Sequence, residues 1–255
     1  MVNTPSGLLT CLPRCSARRT VLPVFKSKFL FFLVIWTLLA ASSAFVAVRA
    51  ADSPPPTLAV VGDSLSAAYG MFADEGWVAL LEARLDDIGH PHRVINASIS
   101  GETTSGGLAR LPRLLERHAP AILIIQLGGN DGLRGIDIPT LEGNLARMIE
   151  LGQSAGSAVI LTGIRIPRNY NDTYYEAFEA VYPTLAERYD VPMVEFLLEG
   201  VALDPALMQA DGIHPTAAAQ PRLLENMWPA LEQALALSGA RADELAASGP
   251  GGQTP

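Results

Sequence analysis

The stretch Thr57-Leu58-Ala59-Val60-Val61-Gly62-Asp63-Ser64-Leu65-Ser66 decides how this chain is interpreted. It begins with apolar and β-branched residues, which are typical of a short buried strand, and the strand then ends at Gly62 in front of a serine. The segment Leu65–Tyr69 is able to begin a helix, whose N-terminus would favour developing negative charge. Ser64 is therefore either a helix cap or a nucleophile, and this stretch alone favours the cap.

Short apolar runs alternate with longer helical stretches through the rest of the chain. The further predicted strands are Arg93–Asn96, Ala121–Leu127, Ala158–Thr162 and Pro192–Phe196. The predicted helices are Trp77–Ile88, a helix capped by Thr103 or Thr104, Leu141–Leu151, Tyr174–Tyr189, and Pro221–Leu237 with Pro229 as a candidate kink. Apolar strands that alternate with helices indicate a parallel sheet covered on both faces. The predicted fold class is α/β, a three-layer α/β/α domain with a mainly parallel central sheet and functional loops at the carboxyl ends of the strands.

The first 50 residues differ in composition from the rest, because they contain no Asp or Glu. They combine a basic start with the apolar run Phe29–Leu39 and the small-residue ending Val48-Arg49-Ala50. This pattern is typical of a secretory signal peptide over residues 1–50, cleaved near Ala50, and it predicts a periplasmic or secreted bacterial protein without a stable membrane anchor. The alternative is an uncleaved anchor, because Phe29–Val48 is a run of 20 uncharged residues.

The sequence after this leader divides into a domain and two flanking segments. Residues 51–56 form a stiff proline-rich segment, and residues 57–237 form the predicted domain. From residue 238 to residue 255 the composition is rich in Ala, Gly, Ser and Pro, and this tail is predicted to be disordered.

Cysteine and charge exclude several classes of function. Both cysteines, Cys11 and Cys15, lie in the leader, so the remaining chain has no disulfide framework, thiol nucleophile or cysteine-ligated metal. It keeps 12 of the 18 basic residues against all 26 acidic ones, a net charge of about −14. Such a charge disfavours binding to nucleic acid and simple electrostatic docking on anionic membranes.

Polar clusters follow the predicted strands, where this type of fold places its site. They are Gly62-Asp63-Ser64, Ser100–Thr104, Leu127–Gly132 and Asp211–Pro215. Acyl transfer by a serine needs a base, a group that orients the base, and donors for the oxyanion. His214 is the candidate base, since Asp211 precedes it by three residues and can face Nδ1 while Nε2 faces a hydroxyl. A helix-capping turn is the alternative interpretation of Asp211.

The other histidines and two loop residues complete the set of candidates. His90, His92 and His118 are interpreted as solvated surface residues, and without clustered ligands the His-Pro-His segment is not favoured as a metal site. Gly101 can offer a backbone N–H at close range, and Asn130 can offer a side-chain amide, so both are candidate oxyanion donors. Taken alone, each is more simply interpreted as an ordinary loop residue.

These motifs together resemble the GDSL or SGNH hydrolase family. The resemblance rests on GDSLS (62–66), the segment around Gly101, GGND (128–131) and DGIHP (211–215), and it covers about residues 57–237. It implies that Ser64 is the nucleophile, with the Ser64 N–H, Gly101 and Asn130 forming the oxyanion hole. It further implies that His214 is the base and that Asp211 orients it.

The expected function is that of a serine esterase acting through an acyl-enzyme. The expected substrates are esters and thioesters with an acyl chain, such as lysophospholipids, acyl thioesters and aryl esters. We expect no metal or other cofactor, no nucleic-acid partner and a monomeric protein. An apolar acyl pocket is predicted, although each candidate lining residue could equally be core; these residues are Leu133, Ile136, Ile138, Ile164, Ile166 and Pro167.

Three alternatives stay open at this point. Ser154 lies in Gly152-Gln153-Ser154-Ala155-Gly156, which matches a nucleophile-elbow pattern, but a helix precedes it where a strand is required. Within the family, a carbohydrate O-acetylesterase is the competing function. In a different class, the chain is a secreted binding protein that keeps the fold without catalysis.

Overall fold

The computed structural model of this chain describes residues 55–166 and 172–247. The predicted signal peptide (1–50) and Pro167 lie outside these ranges, as does most of the proline-rich segment (51–56). The described residues from Pro55 onward belong to one compact unit. Within the described ranges, no helix is both long enough and apolar enough to cross a bilayer.

The sheet has five parallel strands in the spatial order β2-β1-β3-β4-β5. The strands are β1 (Thr57–Gly62), β2 (Arg93–Asn96), β3 (Ile122–Gln126), β4 (Ala158–Thr162) and β5 (Met193–Val194). The helices are α1 (Trp77–Asp87), α2 (Thr104–His118), α3 (Gly129–Leu133), α4 (Ile138–Ser154), α5 (Asp172–Tyr189) and α6 (Gln220–Ala247). Short 3₁₀ turns occupy Ala73–Glu75 and Ala217–Ala219.

Helices cover both faces of the sheet, and alternate strand residues point to opposite faces. Ala59, Leu123 and Leu161 pack on one face with side chains of α2, α4 and α5. Leu58 and Ile160 pack on the other face with side chains of α1 and α6. Because both faces are covered, β1, β3 and β4 are buried along their whole length, whereas the edge strand β2 is only partly buried. The predicted three-layer α/β/α fold is confirmed.

The strand order places the site between β1 and β3. The chain leaves β1 to form β2 on one side and then crosses to form β3 on the other side of β1. In open α/β sheets a crevice forms at such a reversal, at the carboxyl ends of the strands. Ser64 follows β1 and Asn130 follows β3, so both residues lie at this crevice.

Two predicted elements differ from the structure. The predicted helix at Leu65–Tyr69 is wrong: the Tyr69 N–H donates to the Ser64 carbonyl at 3.3 Å, but Ala68 takes a positive φ of 57°, which ends the turn. At the other end of the chain, α6 continues through Pro229 to Ala247 and so takes in the first ten residues of the predicted tail. Ala, Arg, Glu and Leu in residues 238–247 are strong helix formers, which explains the longer helix.

Candidate active site

Ser64, His214 and Asp211 form a chain of side-chain contacts at the carboxyl edge of the sheet. Ser64 Oγ lies 2.9 Å from His214 Nε2, and His214 Nδ1 lies 2.7 Å from Asp211 Oδ2. When Nδ1 carries the ring proton and donates a hydrogen bond to the Asp211 carboxylate, Nε2 is unprotonated. Nε2 can then accept a hydrogen bond from the Ser64 hydroxyl. The predicted orientation of the ring, with Asp211 on the Nδ1 side, is the one the structure has.

A small hairpin presents His214 and Asp211 to the serine. Met208 and Pro215 form an antiparallel bridge, and the Gln209 N–H donates to the His214 carbonyl at 2.7 Å. At the tip, the Asp211 Oδ1 accepts the backbone N–H groups of Ile213 at 2.9 Å and of His214 at 3.0 Å. Asp211 therefore caps the turn with one oxygen and holds the imidazole with the other.

The same hydrogen bonds change the acidity of Asp211. The His214 backbone N–H, then the His214 ring and the Ile213 N–H, lower the pKa of the Asp211 carboxyl to about 2. Its carboxylate is consequently ionised across the whole neutral and weakly acidic range. A permanent negative charge beside Nδ1 favours an imidazolium at His214 whenever Nε2 gains a proton.

Asn130 is the second residue of the short helix α3 and lines the same cavity as Ser64. Its Nδ2 lies 3.4 Å from Asp63 Oδ2, the residue just before the serine. Asp63 is only 2% exposed, and its Oδ1 accepts the Leu65 N–H at 3.0 Å and Gln126 Nε2 at 3.1 Å. Burial raises the pKa of the Asp63 carboxyl to about 6, although these hydrogen bonds oppose the shift.

Gly101 lies in the turn that follows β2, beside the end of β1. The Ile99 N–H donates to the Gly62 carbonyl at 3.0 Å, which ties this turn to the strand that carries Ser64. Gly101 has a positive φ of 78°, and Arg134 Nη2 donates to its carbonyl at 3.0 Å. Gly101 borders the site without lining the cavity that Ser64 and Asn130 share.

A buried carboxylate connects the Gly101 turn with the helix of Asn130. Asp131 is 1% exposed and accepts the backbone N–H of Thr104 at 2.9 Å and its hydroxyl at 2.5 Å. Thr104 is the first residue of α2, three positions after Gly101, and Asp131 follows Asn130 directly. This pair fixes the two loops of the candidate oxyanion donors relative to each other.

An apolar cavity of about 680 Å³ opens beside Ser64. Its apolar lining includes Leu65, Leu133, Ile164, Ile166, Tyr175, Phe196, Leu197, Leu198, Leu203, Met208 and Ile213. Three of the predicted lining residues, Leu133, Ile164 and Ile166, are therefore correct. Ile136 and Ile138 are not among the lining residues, and Ile138 packs against the core instead.

Ser154, the alternative nucleophile, lies at the end of the sheet opposite to Ser64. Ser154 is the last residue of α4 and precedes β4, so it sits near the amino ends of the strands. The structure thus separates Ser154 from His214 and Asp211. Gly156 has a positive φ of 87°, as is common for a glycine that follows the end of a helix.

The interpretation of His92 as a solvated surface residue is wrong. His92 is buried, with 7% exposure, and its Nδ1 lies 3.1 Å from His90 Nδ1, which is half-buried. The turn after α1 folds these two rings against each other before β2 begins, far from Ser64 in the sheet. Among the described residues, no group of three or more His, Cys, Asp or Glu side chains is arranged to hold a metal ion.

Sequence reasoning missed three residues that contact the site: Asp63, Tyr69 and Gln209. Asp63 stands in the opening stretch, but its contact with Asn130 spans 67 positions and has no local signature. The ring centroid of Tyr69 lies 4.3 Å from that of His214. Gln209 Nε2 donates hydrogen bonds to the carbonyls of Tyr69 and Pro215. The one signal for Gln209 in the sequence is that it is a polar residue two positions before Asp211.

Comparison with known proteins identifies the family. Residues 60–222 match the model of the GDSL-like lipase/acylhydrolase family. The chain is 55% identical to esterase TesA of Pseudomonas aeruginosa over 70% of this chain and 89% of that protein. It is 45% identical to thioesterase 1/protease 1/lysophospholipase L1 of Escherichia coli strain K12, over 77% of this chain and 87% of that protein.

Solved structures agree with the sequence comparison. A crystal structure of TesA matches with a TM-score of 0.68 and 55% identity, over 69% of this chain and 98% of that one. The psychrotrophic esterase EstA from Pseudoalteromonas, inhibited by monoethylphosphonate, matches with a TM-score of 0.68 and 38% identity over 71% of this chain and 98% of that one. With a matched family model and relatives this similar along most of their length, the chain belongs to the GDSL-like lipase/acylhydrolase family.

Proposed function

We propose that this protein is a serine hydrolase that cleaves carboxylic esters and thioesters of acyl-chain substrates through an acyl-enzyme. The observation that carries the proposal is the contact of Ser64 Oγ with His214 Nε2 at 2.9 Å, backed by Asp211 at 2.7 Å. A nucleophile, a base and a group that orients the base are the parts that acyl transfer by serine requires.

The proposed reaction begins when His214 Nε2 takes the Ser64 proton and Oγ attacks the substrate carbonyl. The N–H groups of Ser64 and Gly101 and the side-chain amide of Asn130 hold the oxyanion that forms. His214 then gives its proton to the leaving alcohol or thiol, and the acyl group stays on Oγ. A water molecule deprotonated by His214 releases the acid, and Ser64 regains its proton.

The cavity supports the choice of an acyl-chain substrate. Its volume of about 680 Å³ lies within the range of small-molecule sites, and its lining is dominated by aliphatic and aromatic side chains. Ser64 and His214 stand at this lining, so an acyl chain placed there brings its carbonyl to the nucleophile. The names of the relatives, esterase and thioesterase 1/lysophospholipase L1, support the same class of substrate.

We further propose that the protein acts in the periplasm or outside the cell after removal of residues 1–50. The proposal rests on the basic, apolar and small-residue order of this leader. We also propose that the protein acts as a monomer. Cell fractionation with N-terminal sequencing of the purified protein, and light scattering during gel filtration, test the two statements.

A serine-reactive phosphonate tests the catalytic assignment. The wild-type protein is expected to be labelled at Ser64 and Ser64→Ala to stay unlabelled, whereas Ser154→Ala serves as a matched control that is labelled normally. Labelling of Ser154 in the wild type would contradict the assignment. A folded protein that reacts with no phosphonate would favour the secreted binding protein instead.

A series of p-nitrophenyl esters of increasing chain length tests the substrate class. If the cavity receives the acyl chain, kcat/KM rises from acetate to medium-chain esters, since each buried methylene contributes about 0.8 kcal/mol. Activity confined to acetate would instead identify an O-acetylesterase.

A further inference from the structure

The ring of Tyr69 packs against the ring of the candidate base. The ring centroids of Tyr69 and His214 are 4.3 Å apart, and the planes are inclined by 37°. Tyr69 belongs to the turn that begins at Ser64, because its N–H donates to the Ser64 carbonyl at 3.3 Å. The nucleophile and the aromatic side chain that contacts the base are therefore parts of one turn.

Gln209 joins this turn to the hairpin that carries His214. Its Nε2 donates to the Tyr69 carbonyl at 2.8 Å and to the Pro215 carbonyl at 2.9 Å. Its backbone N–H donates to the His214 carbonyl at 2.7 Å. Both acceptors of the side chain are carbonyls, so the amide must present its NH₂ group to them.

The chain around Tyr69 is shaped to receive the Gln209 side chain. Gly70 has a positive φ of 76°, and a Cβ at this position would meet Gln209 Oε1. The positive φ favours a glycine here, and a larger residue would crowd the Gln209 amide. Gln209 is half-buried; its hydrogen bond to the Pro215 carbonyl is partly buried, and the one to the Tyr69 carbonyl is exposed.

We propose that Gln209 and Tyr69 form a clasp that positions His214 over Ser64, Gln209 by fixing the hairpin to the Ser64 turn and Tyr69 by stacking on the imidazole. The inference rests on the proposed serine-hydrolase function. Neither residue touches the reacting atoms, so both are positioning residues.

The clasp matters because Ser64 and His214 are 150 positions apart and reach each other from separate loops. A displacement of about 1 Å at such a contact can reduce turnover by about 10²-fold. Asp211 orients the ring within the hairpin, but it belongs to that hairpin and does not hold the hairpin against Ser64. The contacts of Gln209 and Tyr69 cross between the loops and supply that restraint.

Gln209→Met tests the clasp, because methionine keeps the length of the side chain and removes its donors. Gln153→Met is a matched control, since Gln153 Nε2 also donates to a backbone carbonyl, that of Tyr189 at 2.9 Å, at the opposite edge of the sheet. For a p-nitrophenyl ester we expect Gln209→Met to lower kcat by roughly 10- to 100-fold with KM changed less than about threefold. Gln153→Met keeps the kcat of the wild type, and both variants shift Tm by similar amounts.

Tyr69 is tested by a pair of variants. Tyr69→Leu, which removes the ring, is expected to lower kcat about two- to fivefold with little change in KM. Tyr69→Phe keeps the ring and is expected to recover the lost turnover. If Phe and Leu lose the same activity, the stacking part of the inference is wrong.

The downfield proton resonance of His214 Nδ1–H provides a readout that does not depend on hydrolysis. It is expected to broaden or shift in Gln209→Met and to stay unchanged in Gln153→Met. An unchanged resonance together with unchanged kcat in Gln209→Met overturns the clasp while the wild type still hydrolyses esters. The proposed function fails in a different way, namely when Ser64→Ala hydrolyses the ester as fast as the wild type.

Discussion

The side-chain amide of Asn130 lies 3.4 Å from the carboxylate of Asp63, at the carboxyl ends of neighbouring strands. Asp63 is held in turn by the Leu65 N–H and by Gln126, whose Oε1 accepts the Ser66 hydroxyl at 2.6 Å. Through these bonds the turn of Ser64 and the amide of Asn130 share one buried carboxylate. Because the carboxylate accepts one amide hydrogen, it restricts the plane of the amide that is proposed to face the oxyanion.

Replacing Asp63 by Asn is expected to lower turnover without weakening substrate binding. The new amide nitrogen would face Asn130 Nδ2, so two donors would oppose each other and the Asn130 amide would turn. Loss of one oxyanion donor costs about 10²–10³ in kcat, which is the effect expected for Asn130→Ala. We therefore expect Asp63→Asn to lower kcat by up to about 10²–10³-fold, with KM nearly unchanged in steady-state assays.

The matched control for this change is Asp87→Asn at the exposed end of α1, which is expected to keep full activity. If Asp63→Asn retained kcat while Asn130→Ala lost it, the carboxylate would have no part in orienting the amide.

Asp63 also gives the stability of the protein a dependence on pH. Burial raises the pKa of its carboxyl from 3.8 to about 6, so between these values the folded state binds more protons than the unfolded state. The free energy of unfolding therefore decreases as pH rises through this window, by about 3 kcal/mol at most. Urea unfolding at several pH values should show this decrease in the wild type and a smaller one in Asp63→Asn. Parallel curves for the two proteins would show that Asp63 is not the group responsible.

The fold could be predicted from the sequence because its central strands β1, β3 and β4 are buried on both faces. Runs such as Ala158–Thr162 are buried at every position and apolar at all but the last, and their alternation with amphipathic helices is compatible with few architectures. The contacts within one loop were also predictable, since Asp211 and His214 are three residues apart. Contacts between loops were not, because the positions of Tyr69 and Gln209 depend on how two distant turns meet.

Local errors have local physical causes. The segment after Ser64 has the composition of a helix, yet Ala68 adopts a positive φ and Asn96 Nδ2 donates to the Ser66 carbonyl at 2.7 Å. A tertiary hydrogen bond thus takes a carbonyl that a helix would use. The sequence alone places the polar His92 at the surface, but the turn folds back on His90 and buries the His92 side chain.

Asp211→Asn separates the orienting role of the carboxylate from its capping role. An asparagine can still accept the N–H groups of Ile213 and His214, so the turn is expected to keep its conformation. It cannot supply the negative charge beside Nδ1, and kcat is expected to fall by about 10⁴-fold. Because the pKa of Asp211 is held near 2, the wild type should show no loss of activity from this group above about pH 4. A loss below about tenfold in the variant, measured with a p-nitrophenyl ester, would assign Asp211 to capping alone.

Gly128→Ala is expected to destabilise the whole carboxyl edge of the sheet, and Gly143→Ala supplies the control. Gly128 has a positive φ of 116°, and a Cβ there would meet the Tyr182 hydroxyl, which donates to the Leu127 carbonyl at 3.1 Å. Backbone strain and overpacking together cost about 2–5 kcal/mol, so Tm should fall by roughly 5–15 °C.

At Gly143, in α4, a Cβ meets nothing within 4 Å, and the added methyl group should stabilise the helix by about 0.5–1 kcal/mol. Since Gly128 precedes Asn130 by two residues, any Gly128→Ala protein that folds should also lose kcat. Thermal unfolding of both variants beside the wild type measures these effects, and an unchanged Tm for Gly128→Ala would show that the strand end tolerates a side chain there.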